Sequence, residues 1–497
     1  MICRADLRFG IFAIALALGA AASAAPAGGF HARARLAMAE GDLAAATRAF
    51  DRALASGEGT APVWVDIGRL RYRSGQHHLA LEAAAKAIEL DPNEPRALEF
   101  KAQLTRDAAG VVAALPWFER AVERDPDNVD LLGEYAATLG EAGRNRDMLR
   151  VARRMVELDP RHPRAYYLQA VLAARAGLDD LARRLLARTK GAYDDVPAAM
   201  MLTGILELRT GNAALAVDRF DALTQRQPEN PAVALLLGRA LLAHGEANEV
   251  VARFASAAGR AHAPPYLLTL VGRAYEQLGQ RGDAARYLDR AARDWPTAIG
   301  VLPLADTGSE ATQLRRLLVQ RRSGEARTVA ARLAGRYPGS VDFEVLGGDV
   351  ALLTGNPARA LANYRRAATV RRDFALVERM VAAQRLLGRE DAAMALVAEY
   401  LTQHPRSGAA SALLGRMRAE RGDWPRASAL LGHADALRPG DVRLLGDLAA
   451  TELALGDVAA ARATAGRAHR LQRANGRVAI LLAQIARAGG GDGAARR

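Results

Sequence analysis

Two adjacent histidines, His77 and His78, are the side chains that most invite a metal-binding or proton-transfer role. Consecutive positions of a helix point about 100° apart, so both rings cannot be directed at one ligand. We therefore expect both to be surface residues that follow a turn at Gly75. The one cysteine, Cys3, lies in a segment expected to be removed, so the mature chain would hold no nucleophilic thiol.

The sequence also lacks the short motifs that mark common catalytic centres. It contains no H-E-x-x-H metal motif, no P-loop, no G-x-S-x-G turn and no dinucleotide-binding glycine fingerprint. Aspartate and glutamate are numerous but dispersed, so no pair of carboxylates can be singled out for acid–base work. We therefore predict a protein that is not an enzyme and that has no cofactor and no metal.

The strongest pattern in the chain is a ladder of small residues spaced 34 positions apart. Its first eight members are Gly41, Gly75, Ala109, Gly143, Gly177, Gly211, Gly245 and Gly279. After a break the ladder resumes at Gly355, Gly388, Gly422 and Gly456. A fixed period between about 20 and 50 residues indicates a repeat architecture, in which no ordinary enzyme core is expected.

The residues around each glycine predict a hairpin of two helices. Apolar residues recur at spacings of three and four, as at Ala284, Leu288 and Ala291, which places them on one helical face. The glycine ends the first helix, where a left-handed backbone is needed and a β-carbon is penalised. Proline, as at Pro92, closes the second helix because it cannot continue it.

This pattern resembles the tetratricopeptide repeat, in which W-x2-L-G-x2-Y is followed by Ala, Phe and Pro at period 34. One unit carries it at Trp64, Ile67, Gly68, Gly75, Ala80, Ala87 and Pro92, and another at Val271, Gly272, Tyr275, Gly279, Ala284, Leu288, Ala291 and Pro296. The resemblance spans roughly residues 27–488, and it departs from the pattern at Ala109 and after Pro296. It implies an all-α fold, a right-handed α-solenoid of about 13 helix hairpins.

The first 24 residues are predicted to be a signal peptide. Arg4 and Arg8 form a charged start, an apolar run follows, and Ala22-Ser23-Ala24 has the small residues of a cleavage site. We expect export to the periplasm of a bacterium. The alternative is an inner-membrane anchor formed by residues 9–25, and we expect membrane association only if the signal is uncleaved. Without cysteine no disulfide can form, so stability would come from stacking alone.

The remaining chain divides by how well it fits the repeat. We predict a first array (27–296), an irregular insertion (297–309), a second array (310–474), a capping helix (475–488) and a disordered tail (489–497). The insertion is either a hinge between two arms or a packed element that preserves one superhelix. The second interpretation is the simpler one.

The chain carries a net charge of +13, and almost all its basic residues are arginine. A basic protein can favour nucleic acid, anionic lipid or acidic partners. The alternative is a bias toward arginine in a GC-rich genome. No run of five consecutive basic residues occurs, so the sequence shows no basic arm.

The resemblance also implies a partner-binding groove, since the first helix of each unit lines the concave face in this family. Carried onto this chain, the exposed groove positions are Arg69, Tyr72, Arg96, Arg106, Tyr167, Arg239, Tyr266, Arg273 and Arg416. Arginine and tyrosine are enriched at binding hot spots, and guanidinium grips a carboxylate at two points. The groove would then hold an extended acidic segment or an anionic polymer. The alternative is that these arginines are solvated spacers.

Three functions are therefore open. The first is a non-enzymatic scaffold that binds protein or peptide partners through the groove. The second is a structural component of an exopolysaccharide or cellulose secretion machine, or of another envelope assembly, which rests on analogy of fold and export. The third is binding of an anionic polymer or nucleic acid through a basic groove. Nucleic acid is the weaker expectation, because export argues against it and aromatic residues are sparse.

Overall fold

The computed structural model describes residues 29–228, 230–260, 263, 265–292, 313–314, 317–318, 320, 322–337 and 339–494. These residues form 26 α-helices, and none of them lies in a strand. The predicted all-α solenoid is therefore confirmed for the part of the chain that is described. The predicted signal peptide (1–24) and irregular insertion (297–309) lie outside the described residues.

The first array consists of eight consecutive hairpins, as the period of 34 predicts. They are α1 (Phe30–Glu40) with α2 (Leu43–Ala55), α3 (Ala61–Arg73) with α4 (His77–Leu90), α5 (Pro95–Ala108) with α6 (Val111–Arg124), α7 (Val129–Glu141) with α8 (Asn145–Leu158), α9 (Pro163–Arg175) with α10 (Asp179–Ala187), α11 (Pro197–Arg209) with α12 (Ala213–Arg226), α13 (Pro231–His244) with α14 (Ala247–Gly259), and α15 (Pro265–Gln277) with α16 (Arg281–Ala292).

The second array continues the same architecture. It consists of α17 (Ser323–Arg336), then α18 (Val341–Leu353) with α19 (Pro357–Ala368), α20 (Phe374–Leu386) with α21 (Glu390–Gln403), α22 (Gly408–Glu420) with α23 (Trp424–Leu437), α24 (Val442–Ala454) with α25 (Val458–Leu471), and the last helix α26 (Gly476–Ala494). The capping helix was expected to end at residue 488. The backbone of 489–494 remains helical, because glycine weakens a helix by only about 1 kcal/mol per residue and does not remove a hydrogen-bond donor.

The turn glycines end the first helix of each hairpin as predicted. Gly245 has a φ of 93°, and its N–H donates to the carbonyls of the last turn of α13. The third hairpin departs at Ala109, where the helix ends in a right-handed conformation. The positive φ, 112°, falls one residue later at Gly110. The special backbone conformation is therefore kept in the degenerate unit but shifted by one position.

Small residues also let the two helices of a hairpin approach closely. Gly348 of α18 is an example, because a β-carbon built at this position would overlap the ring of Tyr364 in α19. Tyr364 is fully buried, and its O–H donates to the carboxylate of Asp349 at 2.7 Å. A glycine before the large ring is therefore a packing requirement and not a flexible site.

The described residues divide into two compact units, and each is built from two separated stretches of chain. The amino-terminal unit combines residues 29–160 with the described part of 313–405. The carboxy-terminal unit combines residues 161–292 with residues 406–494. In both, the repeats of the second array pack against repeats of the first.

In the amino-terminal unit, the junction of the two stretches runs along the hairpin turns. The backbone N–H of Val341 donates to Nδ1 of His77 at 3.1 Å, and the N–H of Arg372 donates to the carbonyl of Asp107 at 2.8 Å. His77 is buried, so the expectation of a surface residue was wrong for it. The reason is that the start of α18 covers the turn. His78 remains partly exposed, 3.5 Å from the carboxylate of Glu344.

The shifted turn at Gly110 belongs to this junction. The backbone N–H of Ala113 donates to Oε1 of Gln403 at 3.0 Å. A β-carbon on Gly110 would lie 2.7 Å from the β-carbon of Gln403 and 2.7 Å from the ring of His404. The departure from the repeat pattern at Ala109 and Gly110 is thus explained by the close approach of the end of α21.

Candidate functional site

In several hairpins the groove position directly after the small residue of the first helix holds a charged side chain. That side chain forms an ion pair with the neighbouring hairpin. Nη2 of Arg69 lies 3.4 Å from Oε2 of Glu99, thirty positions later. Nη1 of Arg416 lies 3.6 Å from Oδ2 of Asp447, at a similar offset. Each of these two arginines therefore bridges to the next first helix.

The same link occurs with its charges exchanged in the second array. Asp349 holds the arginine position, and its Oδ1 accepts from Nε of Arg379 at 3.0 Å. Asp349 is completely buried and the side chain of Arg379 is 9% exposed. Tyr364 donates to the same Oδ1, so the carboxylate satisfies two donors in a dry environment. This ion pair belongs to the structure of the amino-terminal unit.

Four further predicted groove residues also have structural contacts, and two of them are not exposed. Arg106 is 8% exposed and Nη1 lies 3.1 Å from Oε2 of Glu134. Tyr167 is 4% exposed and stacks on Tyr193 with 5.0 Å between ring centroids. Burial raises the pKa of the Tyr167 hydroxyl. Arg106 faces the next hairpin and Tyr167 faces the segment between α10 and α11, so a count along the repeat does not predict their burial.

Arg96 and Tyr72 are partly exposed but engaged. Nη2 of Arg96 lies 2.5 Å from Oδ1 of Asp66. The O–H of Tyr72 donates to Oδ2 of Asp107 at 3.0 Å, and burial together with that carboxylate raises the pKa of Tyr72. The Tyr72 ring also packs against the apolar cluster of the later repeats around Tyr364. Tyr72 thus helps to join the two stretches of the amino-terminal unit, whereas Arg96 links α5 to α3 within the first stretch.

The remaining three predicted residues, Arg239, Tyr266 and Arg273, lie together in a cavity of about 530 Å³ in the carboxy-terminal unit. We call it the arginine cavity. One wall comes from the first helices of the seventh and eighth hairpins, α13 and α15. The other wall comes from the segment before α24, from α24 itself and from the start of α26. The arginine cavity is thus closed by the end of the same chain.

The second wall contributes three arginines that were not predicted from the sequence: Arg438, Arg443 and Arg477. No local signal marks them, since the repeat period does not reveal which distant hairpin faces which. With Arg239 and Arg273 they bring five guanidinium groups to the lining. Among the described lining residues, Asp441 is the one carboxylate.

The carboxylates at the second wall are already engaged. Oδ1 of Asp441 accepts from the N–H groups of Arg443 and Leu444, so it caps α24, and its Oδ2 lies 3.4 Å from Nη2 of Arg438. Oδ1 of Asp447, outside the lining, lies 3.1 Å from Nη2 of Arg477. Burial raises the pKa of Asp447, although the nearby arginines act against it. Both carboxylates beside the second wall are therefore already paired with arginines.

The first wall differs from the hairpins described above at one position. Thirty residues after Arg69 stands Glu99, whereas thirty residues after Arg239 stands Thr269. Thr269 lines the arginine cavity. The position that holds a carboxylate in the hairpin after Arg69 thus holds a hydroxyl in the hairpin after Arg239.

Apolar side chains complete the lining and the last helix fixes its shape. Leu235 and Leu270 come from the first wall, Leu208 from the neighbouring α11 and Leu481 from α26. The N–H of Ala474 donates to Oε1 of Glu276 at 2.6 Å, which ties the segment before α26 to α15. Burial raises the pKa of Tyr266, so its hydroxyl stays protonated near neutral pH. The arginine cavity can thus bind anions and apolar groups at once.

The described residues contain no group of three or more His, Cys, Asp and Glu side chains placed to hold a metal ion. None of the described helices combines the length and apolar character that a bilayer crossing demands. What the cavity offers is hydrogen-bond donors, positive charge and apolar surface.

Comparison with known proteins identifies the repeat. A family model described as tetratricopeptide repeat matches residues 65–129, 136–197, 201–263 and 312–374, just over half of the chain. No curated protein matches.

Several solved structures are similar to the chain. The APC/C hetero-tetramer Cut9–Hcn1 matches with 11% identity and a TM-score of 0.34, covering 92% of this chain and 95% of that one. Human IFIT1, solved as a dimer with PPP-AAAA, matches with 17% identity and a TM-score of 0.39, covering 68% and 81%. A tetratricopeptide repeat protein from Parabacteroides merdae matches with 14% identity and a TM-score of 0.26, covering 58% and 96%.

Proposed function

Since the chain belongs to the tetratricopeptide repeat family, we propose that it is a non-enzymatic scaffold that binds a protein partner in the bacterial periplasm. Such repeats form extended surfaces that bind by contact and not by reaction. The partner site is the arginine cavity of the carboxy-terminal unit. The other predicted groove residues act as structural links between hairpins.

One observation carries this proposal: three predicted groove residues from two hairpins, Arg239, Tyr266 and Arg273, lie in one cavity. Arginine and tyrosine provide much of the binding energy in protein interfaces, mainly where water is excluded around them. Arginine side chains beside apolar ones in the lining favour a partner segment that is acidic and partly apolar.

The periplasmic location rests on the signal-like residues 1–24, with a charged start, an apolar run and small residues before the expected cleavage point. Amino-terminal sequencing of the protein recovered from the envelope tests it. A chain that starts after Ala24 supports periplasmic release. An intact amino terminus in the membrane fraction supports the anchor formed by residues 9–25.

The test of binding is affinity capture from envelope extracts with mass spectrometry. The bait is the mature chain, compared with the double variant Arg239→Glu and Arg273→Glu. We expect the captured partners to be lost, because charge reversal would repel an acidic segment. The matched control reverses Arg183 and Arg286, which lie on second helices and pair with a carboxylate on their own helix. Equal capture by both double variants would refute the proposed site.

The same capture distinguishes the alternatives. Components of an exopolysaccharide or cellulose secretion machine among the partners would identify the scaffold as part of that assembly. Recovery of polysaccharide or nucleic acid in place of protein would favour an anionic polymer as the ligand.

A further inference from the structure

We propose that residues 188–196, which connect α10 to α11, form a reversible cover over the fifth hairpin. We call these residues the Tyr193 segment. In the covered state, which the structure shows, the ring of Tyr193 lies on Tyr167, a predicted groove residue. In the open state the last turn of α10 is formed and the ring of Tyr167 is accessible. The arginine cavity is lined by other hairpins, so this inference goes beyond the proposed function and does not depend on it.

The helix α10 is shorter than the repeat predicts. It has 9 residues, whereas α4 and α12 each have 14. In the second hairpin the second helix ends at Leu90, fifteen positions after the turn glycine Gly75. The same count from Gly177 reaches residue 192, but α10 ends at Ala187. Because α11 begins in register, the missing turn leaves a connection of nine residues.

The backbone of the Tyr193 segment contains a conformation that a longer helix would remove. Lys190 has a φ of 50°, and it is the one residue other than glycine with a positive φ in the part of the chain that the structure describes. A left-handed conformation is costly for a residue with a β-carbon. The N–H groups of Thr189 and Lys190 donate to carbonyls three positions earlier, at 2.9 and 3.2 Å. Continuing α10 would replace these by regular helical bonds and return Lys190 to a negative φ.

Thr189 shows that a longer α10 fits the core of the hairpin. It is 4% exposed, and it stands twelve positions after Gly177. The fully buried Ala87 of α4 stands twelve positions after Gly75. Position 189 is therefore already a core position, and the change between the two states mainly involves the residues after it.

Ring contacts hold the Tyr193 segment in the covered state. The ring centroids of Tyr193 and Tyr167 are 5.0 Å apart, with 25° between the ring planes. The guanidinium carbon of Arg188 lies 5.0 Å from the ring centroid of Tyr166. These contacts favour the covered state, whereas the backbone conformation of Lys190 opposes it. Substitutions within the segment should therefore shift the balance between the two states.

An exposed ion pair attaches the end of the Tyr193 segment to the next hairpin. Nη1 and Nη2 of Arg226 in α12 donate to the carbonyl oxygen and to Oδ1 of Asp195, each at 2.6 Å. The two side chains are 44% and 87% exposed, so solvent weakens their attraction. The pair restrains the end of the segment and leaves the residues before it able to change conformation.

The experiment measures nitration of tyrosines by tetranitromethane in the mature protein, with each modified site located by mass spectrometry. Tyr167 is 4% exposed, so it should react only from the open state. Tyr364, which is fully buried, is the unreactive control, and Tyr337, which is 44% exposed, is the reactive one. We expect Tyr167 of the parent to react at a rate between these two.

Two backbone substitutions should shift the rate in opposite directions. Gly191→Ala disfavours the positive φ of 80° and favours a helix, so nitration of Tyr167 should rise at least about fivefold. Lys190→Gly accepts the positive φ and weakens a helix, so nitration should fall at least about fivefold. Gly422→Ala, at a turn glycine with a positive φ and open space around it, should leave the rate at Tyr167 unchanged.

Substitution of the covering ring tests its role directly. Tyr193→Ala removes the ring that lies on Tyr167, so nitration of Tyr167 should rise at least about tenfold. Tyr193→Phe retains the ring and should keep the rate of the parent. Equal rates at Tyr167 in Tyr193→Ala and in the parent would overturn the inference, because the ring would then not be the cover.

Hydrogen exchange followed by mass spectrometry identifies the open state. In Gly191→Ala the amides of residues 188–192 should gain protection, because they enter the last turn of α10. A loss of protection would mean that the segment unfolds, which would overturn an exchange between two ordered states. Equal nitration of Tyr167 in Gly191→Ala and Lys190→Gly would overturn it as well. Capture from envelope extracts tests the arginine cavity separately, so the proposed function can fail or hold independently of these results.

Discussion

The buried ion pair of the amino-terminal unit gives a prediction whose size follows from the structure. Asp349→Asn preserves the shape of the side chain but removes the negative charge. The carboxylate is completely buried and accepts from Arg379 at 3.0 Å and from Tyr364 at 2.7 Å. Arg379, whose side chain is 9% exposed, would then lose the negative charge of Asp349.

Breaking a buried pair by removing one partner costs about 3–5 kcal/mol of unfolding free energy. With a denaturant slope of about 2–3 kcal/mol per molar of urea, the unfolding midpoint should fall by about 1–2.5 M. Replacing both partners, with Asp349→Leu and Arg379→Met, removes both charges of the pair. The double variant should therefore be more stable than the single one, within about 2 kcal/mol of the parent.

The assay is urea unfolding followed by far-ultraviolet circular dichroism. The control is Arg154→Ala, which removes an exposed pair with Asp127 whose side chains are 49% and 68% exposed. That change should cost less than about 1 kcal/mol. The reasoning is refuted if Asp349→Asn unfolds at the same urea concentration as the control, or if the double variant is no more stable than the single one.

Two further predictions concern the junction of the amino-terminal unit. Burial holds the pKa of His77 below its usual 6.5, so the unfolded chain takes up the proton first as the pH falls. Stability contributed by neutral His77 is therefore lost as the pH drops below 6.5. The thermal unfolding temperature of His77→Gln should depend less on pH in that range, while His78→Gln, at a partly exposed position, should follow the parent. Equal pH dependence of the unfolding temperature in all three proteins would contradict this. Gly110→Ala should lower the unfolding free energy by about 1–3 kcal/mol, because φ is positive and a β-carbon would overlap Gln403. Gly245→Ala has a positive φ with open space around it, so urea unfolding should show a smaller loss, and equal losses would rule out the packing contribution.

The sequence alone was sufficient to predict the helices and turns that depend on local chemistry. The glycine ladder fixed the hairpins because a left-handed turn residue is a local requirement, and Gly245 shows it directly. It could not place His77, whose burial depends on α18 hundreds of residues later. The degenerate turn at Ala109 was visible in the sequence, but its cause, the approach of Gln403, was not.

The residues of the candidate site divide in the same way. Some could be predicted from their position in the repeat, and others depend on which distant hairpin they contact. Arg239 and Arg273 could be selected because they hold equivalent positions in their repeats. Arg106 and Tyr167 were misplaced, since a repeat template does not report what the neighbouring hairpin presents. A signal was available for Arg69, because Glu99 stands thirty residues later. Nothing local pointed to Arg443, whose role depends on the return of the chain.

The pairing of early and late repeats has a consequence for synthesis on the ribosome. Solenoid repeats can fold one after another as they emerge, each against its predecessor. The imidazole of His77, however, receives its bond from a backbone group 264 residues further on. At roughly 5–20 residues per second, that partner is translated about 13–50 s later. During this interval the surface around His77 that α18 later covers is exposed to water and to chaperones. In a fragment that ends before α18, that surface would stay exposed.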